Sequence, residues 1–452
     1  MYTKHHLYFK LRQRWHESFA LFVSVTITDN KQVDKTGKGN KQLIIGLDFG
    51  AAFTKVVIGD KRVRYAVPFD VAANSSNHYL LPSILGINED NSCTLVSSSD
   101  STSDTASLKL PLLDNTYSEN DLLSISAYLA LVFRSSREWL LTRYTKRYGR
   151  YQIEWRVNVG LPLVNTADHK LTDVYNKLLH NAWVISVLPG AVTLNRVRQF
   201  MKADATAFDA FPAIYKAKII DDEHIATLPA VAAQVYGCAH AHTEIEGLHL
   251  LIDVGAGTFN IATFDCGKSN TDDMVCSLYA SAAESIGVYY LLKRRYENLQ
   301  LSDNVINLFK DIPDIHRFSL AHDLTDKEIK FADTLYSGDV AKQINKVLDE
   351  TKELYCPDSA FWESGVPTVV CGGGSHLEIL ENIQHSFENK PSPHKIQTIS
   401  FAVPDDLMVE NLPARSFDRL SVAYGLSFPV NQITHAFSKN TQNDARSMKQ
   451  LP

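Results

Sequence analysis

Residues 43–60 read LIIGLDFGAAFTKVVIGD. Two apolar runs flank a short turn that carries Asp48 and Gly50, the pattern of a β-hairpin whose turn amides can close around a phosphate. The same grammar returns at residues 248–265, LHLLIDVGAGTFNIATFD. Placing Asp48 on Asp253 puts Gly50 on Gly255, Ala51 on Ala256 and Asp60 on Asp265, so the likeness spans the whole hairpin. Such a repeat predicts two related halves.

The length allows this. A chain of 452 residues can bury two cores, since domains usually run ~100–200 residues. With 45% apolar and 21% charged residues, the composition is that of a soluble globular protein. A net charge of −6 offers no global attraction to nucleic acid or anionic membrane, so any polyanion must be held locally. Six scattered cysteines without a C-x-x-C pair argue against a disulfide framework or structural zinc, and point to the cytoplasm. The apolar run Phe19–Ile27 follows several cations but is short and interrupted by Ser24 and Thr26; it predicts neither a signal peptide nor an anchor.

In chain order, residues 1–42 read as an amphipathic stretch (His6–Ile27) and a polar linker. Residues 64–120 read as an inserted subdomain, in which Asn88–Thr105 forms an exposed loop. Ser118 and Asp121 supply a capping box to a helix running toward Leu140. Its basic and aromatic end, LTRYTKRYGRYQIEWR (141–156), could stack on single-stranded nucleic acid, although cations also belong at a helix C-terminus, with Gly149 as the stop. Residues 153–162 alternate as a strand, and the next helix is expected near Thr166 or Asp168. LPAVAAQVYGCAHAH, from Leu228, predicts an alanine-rich helix for close packing. Cys238, His240 and His242 are spaced by two and do not share a helix face, so a frayed helix end is preferred to a metal site. Residues 300–360 read as a second inserted, mostly helical subdomain. VPTVVCGGGSHLEIL (366–380) reads as a buried strand, a glycine turn and a helix, and FDRLSVAYGLSF (417–428) as a small-residue helix before a polar tail, 429–452.

Five of these motifs, in order, resemble those of the actin, DnaK-type heat-shock ATPase and sugar-kinase superfamily: GLDFGAAFTK, LPAVAAQVYG, IDVGAGTF, VVCGGGS and RLSVAYG. The resemblance implies an α/β chain with two actin-like (ribonuclease H-like) lobes, residues 43–245 and 246–428, around a nucleotide cleft. It assigns phosphate contacts to Gly50, Ala51, Ala52, Phe53 and Lys55 and to Gly255, Ala256, Gly257 and Thr258, and places adenosine on Gly372, Gly373, Gly374 and Ser375. Asp48 and Asp253 would hold Mg²⁺, mostly through its waters, and would serve catalysis. Gln234 is a candidate for orienting water, with Asp221, Asp222 and Glu223 nearby in sequence.

Departures from the family pattern matter. Ala51 and Ala52 stand where heat-shock ATPases carry a hydroxyl, Asn260 replaces an acid, and Leu228 replaces the acid before the connecting helix's proline, whereas Lys55 resembles the phosphate-contacting lysine of actin-like segregation proteins. After Phe428 the chain is too short for a peptide-binding module. The expectation is an ATP/ADP-binding, slowly hydrolysing switch that engages a protein partner or itself. Alternatives are a filament-forming segregation protein, a non-hydrolysing scaffold and a small-molecule kinase.

Overall fold

The computed structural model describes residues 39–438 except 70–77, 96–100, 106, 162–168, 203–217, 221, 242–246, 269–273, 302–305, 310–311, 390–393, 401 and 413–415. The amphipathic stretch 6–27, Thr166, Asp168, Asp221, His242 and most of the polar tail lie outside these residues.

The chain is α/β. The first sheet is built on β1 (Asn40–Phe49), β2 (Phe53–Gly59) and β3 (Arg64–Ala66), successively antiparallel, and continues from β1 through the parallel strands β4 (Gln152–Leu161) and β5 (Ile225–Pro229). The second is built the same way on β6 (His249–Val254), β7 (Phe259–Lys268) and β8 (Met274–Glu284), with β9 (Val366–Cys371) and β10 (Ile396–Ile399) added in parallel. Among these five strands each sheet runs third, second, first, fourth, fifth, and the first sheet adds Leu407–Met408 beside β3 and Leu81–Pro82 beside β2. The internal repeat seen in sequence is thus a repeat of topology, and it fixes matching registers. Asp48 faces Lys55 across the first hairpin, and Asp253 faces Asn260 across the second.

β1 is apolar without alternation because both sheet faces are covered. Leu43, Ile45, Leu47 and Phe49 pack with Tyr128, Phe133 and Trp183 from helices α1 (Glu119–Arg143) and α2 (His169–Val187). Val57 of β2 enters the opposite cluster, with helices α3 (Ala230–Ala241) and α7 (Ser421–Leu426). α3 serves both sheets: Ala233 and Tyr236 pack on the first side, while Val231 and Val235 pack with Leu251 and Phe264 of the second. Small residues make this possible. A Cβ on Gly425 would land on the Ala233 carbonyl, so α3 and α7 meet backbone to backbone. On its far face the second sheet carries α4 (Val288–Asn298) and α5 (Thr334–Leu354), which bury Leu291, Val340, Ile344 and Leu348 against Leu250 and Ile252. After β9 comes α6 (Glu378–Asn389).

Several sequence expectations need correction. Ile225–Pro229 is a strand, so the helix expected at Leu228 begins at Ala230. Leu85–Asn88 pairs with Cys93–Thr94 and Ser101–Thr105, so the polar segment expected as loop contributes strands to a three-stranded sheet. Arg64–Ala66 belongs to the first sheet, and α5 packs on the second sheet, although both lie in stretches expected to be inserted. Cys266 and Cys276 are bridged across β7 and β8, a single link in a chain whose cysteine pattern argued against a disulfide framework. Ten residues apart, they face each other only because the ladder pairs them. Among the described residues no three His, Cys, Asp or Glu side chains converge as a metal site, and no helix is long and apolar enough to cross a membrane. Ser118 and Asp121 do form the reciprocal capping box of α1.

Candidate nucleotide site

Both hairpin turns open into one cavity of about 200 Å³, which also receives Gly372 and Gly373. The first turn is anchored by its carbonyls: Ser83 donates from Oγ to the Gly50 oxygen and from its amide to the Ala52 oxygen, each at 2.8 Å. The second turn is anchored by a helix start. The α4 amides of Val288 and Tyr289 donate to the carbonyls of Gly255 (3.0 Å) and Ala256 (2.7 Å). In this way α4 satisfies part of its open N-terminus. With their carbonyls engaged, the amides of Ala51 and Ala52 and of Ala256 and Gly257 have no hydrogen-bond partner among the described residues. Two such turns face one space.

The acids in this space are not equivalent. Lys55 Nζ donates to Asp48 Oδ2 at 2.7 Å, so Asp48 is an ion pair. Asp253 has Asn260 at the matching ladder position, and only the more distant charges of Lys55 and Lys109 act to lower its carboxyl. Burial pushes its carboxyl up to about 7, and the like charges of Asp48 and Asp418 push the same way. A Cβ at Gly372 would collide with Asp253 Oδ1, and φ there is +87°, so the turn after β9 closes over this carboxylate only as glycine.

Three cavity groups escaped sequence reasoning. Lys109 is buried, and desolvation pulls its ammonium down to about 8 against the pull of Asp48 and Asp253. No local pattern marks it, because only the packing of the segment after the small three-stranded sheet brings it here. Asp418 and Arg419 precede α7 and line the cavity, where burial raises the Asp418 carboxyl. Asp418 also bonds His376 at 3.0 Å and Ser375 Oγ at 3.3 Å, tying the glycine turn to α7. Phe53, Leu308, Phe309, Ile312 and Val422 form an apolar wall beside these charges.

Asp48, Gly50, Ala51, Ala52, Phe53, Lys55, Asp253, Gly255, Ala256, Gly257, Thr258, Gly372 and Gly373 all line the cavity. Gly374 packs on Val254 and Val288, and Ser375 donates to the Gly372 carbonyl, so these two shape the turn from behind. Gln234 is a correction. It is buried between α3 and α7, its amide donating to Ser421 Oγ at 2.8 Å, and it does not line the cavity. Leu228 is buried core. Asp222 and Glu223 lie in a single helical turn ahead of β5 and do not line the cavity either.

A scan of protein-family models and a search of curated proteins match nothing. Matching solved structures include MreB5 of Spiroplasma citri bound to ADP, with a TM-score of 0.45 and 14% identity over 89% of this chain and 99% of that one. MreB5 bound to AMPPNP matches with a TM-score of 0.40 and 13% identity, over 90% and 98%. At these scores the likeness carries no weight of its own.

Proposed function

We propose that the chain is an actin-like nucleotide clamp, whose two halves, residues 43–245 and 246–428, close on Mg-ATP and release on ADP. The observation that carries this reading is the convergence of two topologically equivalent hairpins, each with an aspartate beside a turn of unpartnered amides, on a single cavity. Opposed amides and the cations Lys55 and Lys109 suit a polyphosphate, and the apolar wall around Phe53 and Phe309 suits a flat base. At about 200 Å³ the cavity is smaller than the ~300–1,000 Å³ usual for a ligand pocket. Parting of the halves would enlarge it for a nucleotide, which couples binding to conformation in this reading.

The donor set fits Mg²⁺. With two carboxylates and, among the described residues, no cluster of three His, Cys, Asp or Glu side chains, Asp253 and Asp48 suit an ion that keeps most of its waters. When bound, Mg²⁺ would neutralise phosphate charge and favour ionised Asp253. Lys55 holds Asp48 in place, and Lys109 offsets charge on the phosphates. Gln234, the candidate for orienting water, lies outside the cavity, which supports slow turnover. That same displacement of Gln234, with Leu228 in the core, favours a second reading in which nucleotide is retained uncleaved as part of a scaffold.

Mg-ATP at a hundred times its Kd should raise stability by about 2.7 kcal/mol. Asp48→Ala and Asp253→Ala should remove that gain, and an undiminished gain in both variants would refute the site. Conversion of bound ATP to ADP on long incubation separates switch from scaffold. Pelleting with and without Mg-ATP tests whether the partner is a second copy in a filament.

A further inference from the structure

Helix α5 buries Tyr336, Val340, Ile344, Val347 and Leu348. Its opposite face, with residues recurring at three and four positions from Gly338 to Leu354, lines an open groove. A Cβ on Gly338 would meet nothing within 4 Å, and Leu354 is 68% exposed. Lys342 and Lys346 stand in the first part of this face, Asp349, Glu350 and Glu353 in the last part. Lys342, Lys346, Glu350 and Glu353 make no ion pair among the described residues. Asp349 accepts from His394 at 2.6 Å and is still 57% exposed.

The order of these side chains is that of a surface complementary to itself. If a second α5 is laid antiparallel with its midpoint between Val347 and Leu348, Lys342 meets Glu353 and Lys346 meets Asp349. Asn345 then meets Glu350, and the small Ala341 meets the exposed Leu354. Every pair recurs by the two-fold axis, as an isologous contact demands. A groove made for a foreign cation or anion would carry one sign of charge along its length; this one carries both, in mirrored order.

We propose that this face of α5 is a two-fold docking surface for a second copy of the chain, with the helices antiparallel and centred between Val347 and Leu348. The contact lies outside the nucleotide cavity, and it forms whether or not the clamp reading holds. Charge places the register, since the one-turn shift that sets Lys346 against Glu353 also sets Asp349 against Glu350 and carries Lys342 past the helix end, opposite Pro357.

The test is sedimentation velocity of the full chain over a concentration series, without nucleotide, at low and high salt. The wild type should show a monomer–dimer equilibrium weakened by salt. Lys342→Glu and Glu353→Lys each create two like-charge contacts and should weaken the dimer by about tenfold or more. The double variant restores opposite charges and should recover the wild-type constant to within about threefold. Both positions are exposed, and unchanged circular dichroism and melting temperature in all three variants would tie the shifts to the interface. A chain that stays monomeric throughout, a dimer indifferent to both single variants, or a double variant no tighter than the singles would each overturn the proposal.

Discussion

Asp253 carries the largest electrostatic tension in the cavity. Its carboxyl titrates near 7 against an ordinary 3.8, so from about pH 4 to 7 the folded chain holds a proton that the unfolded chain has lost. By linkage the stability contributed here is complete below pH 4 and declines as pH rises through 7. Lys109, lowered to about 8 from 10.5, acts in the opposite range: its penalty is full below 8 and fades as pH climbs to 10.5. Asp253→Asn should therefore stabilise the nucleotide-free chain at pH 8 by as much as a few kcal/mol, each pKa unit being worth ~1.4 kcal/mol. The same variant should lose the Mg-ATP-dependent gain. Melting curves at pH 5 and 8, with and without Mg-ATP, check both signs. A variant neutral at pH 8 would mean that the cavity holds Asp253 ionised without cost. Lys55→Ala should act oppositely, destabilising the free chain by leaving Asp48 without its cation in a partly buried setting.

At the scale of elements, the close packing of α3 on α7 and the start of α1 make separate predictions. Gly425→Ala drives a methyl into the Ala233 carbonyl, and overpacking of this kind costs ~1–3 kcal/mol or more. Because Asp418 and Arg419 lie just ahead of α7, the loss should appear in nucleotide affinity as well as in melting temperature. Ser118→Ala removes one half of the capping box and should cost ~1 kcal/mol with no change in affinity. Equal effects of both variants on affinity would mean that α7 does not position the cavity. The buried amide of Gln234 belongs to the same helix contact: Gln234→Ala removes the donor to Ser421 Oγ, which keeps its bond to the Asp418 carbonyl, and should lower stability more than it lowers any turnover.

For the whole molecule the clamp reading predicts coupling. Mg-ATP should slow hydrogen exchange in both turns, 50–53 and 255–258, together and with one concentration dependence; protection confined to a single turn would refute closure of two halves on one ligand. Much of this organisation was legible in the chain itself. The hairpin repeat from Asp48 to Asp60 and from Asp253 to Asp265 implied two related halves, and the apolar runs on either side of each turn implied the hairpin strands. Local rules suffice for this, since a turn, a strand or a cap is written in neighbouring residues. Thirteen named phosphate, metal and turn positions reach the cavity for that reason. Contacts distant in sequence obey no such rule. Lys109 and Asp418 enter the site, Gln234 leaves it for Ser421, and Cys266 finds Cys276 only once the sheets and helices are packed. The pKa of Asp253 likewise had no local signature, because desolvation and the charges of Asp48 and Asp418 are properties of the assembled cavity. The sequence by itself determined the repeated hairpins and the turn residues that line the cavity; tertiary packing decided which charges share that space, since burial and through-space fields exist only in the folded chain.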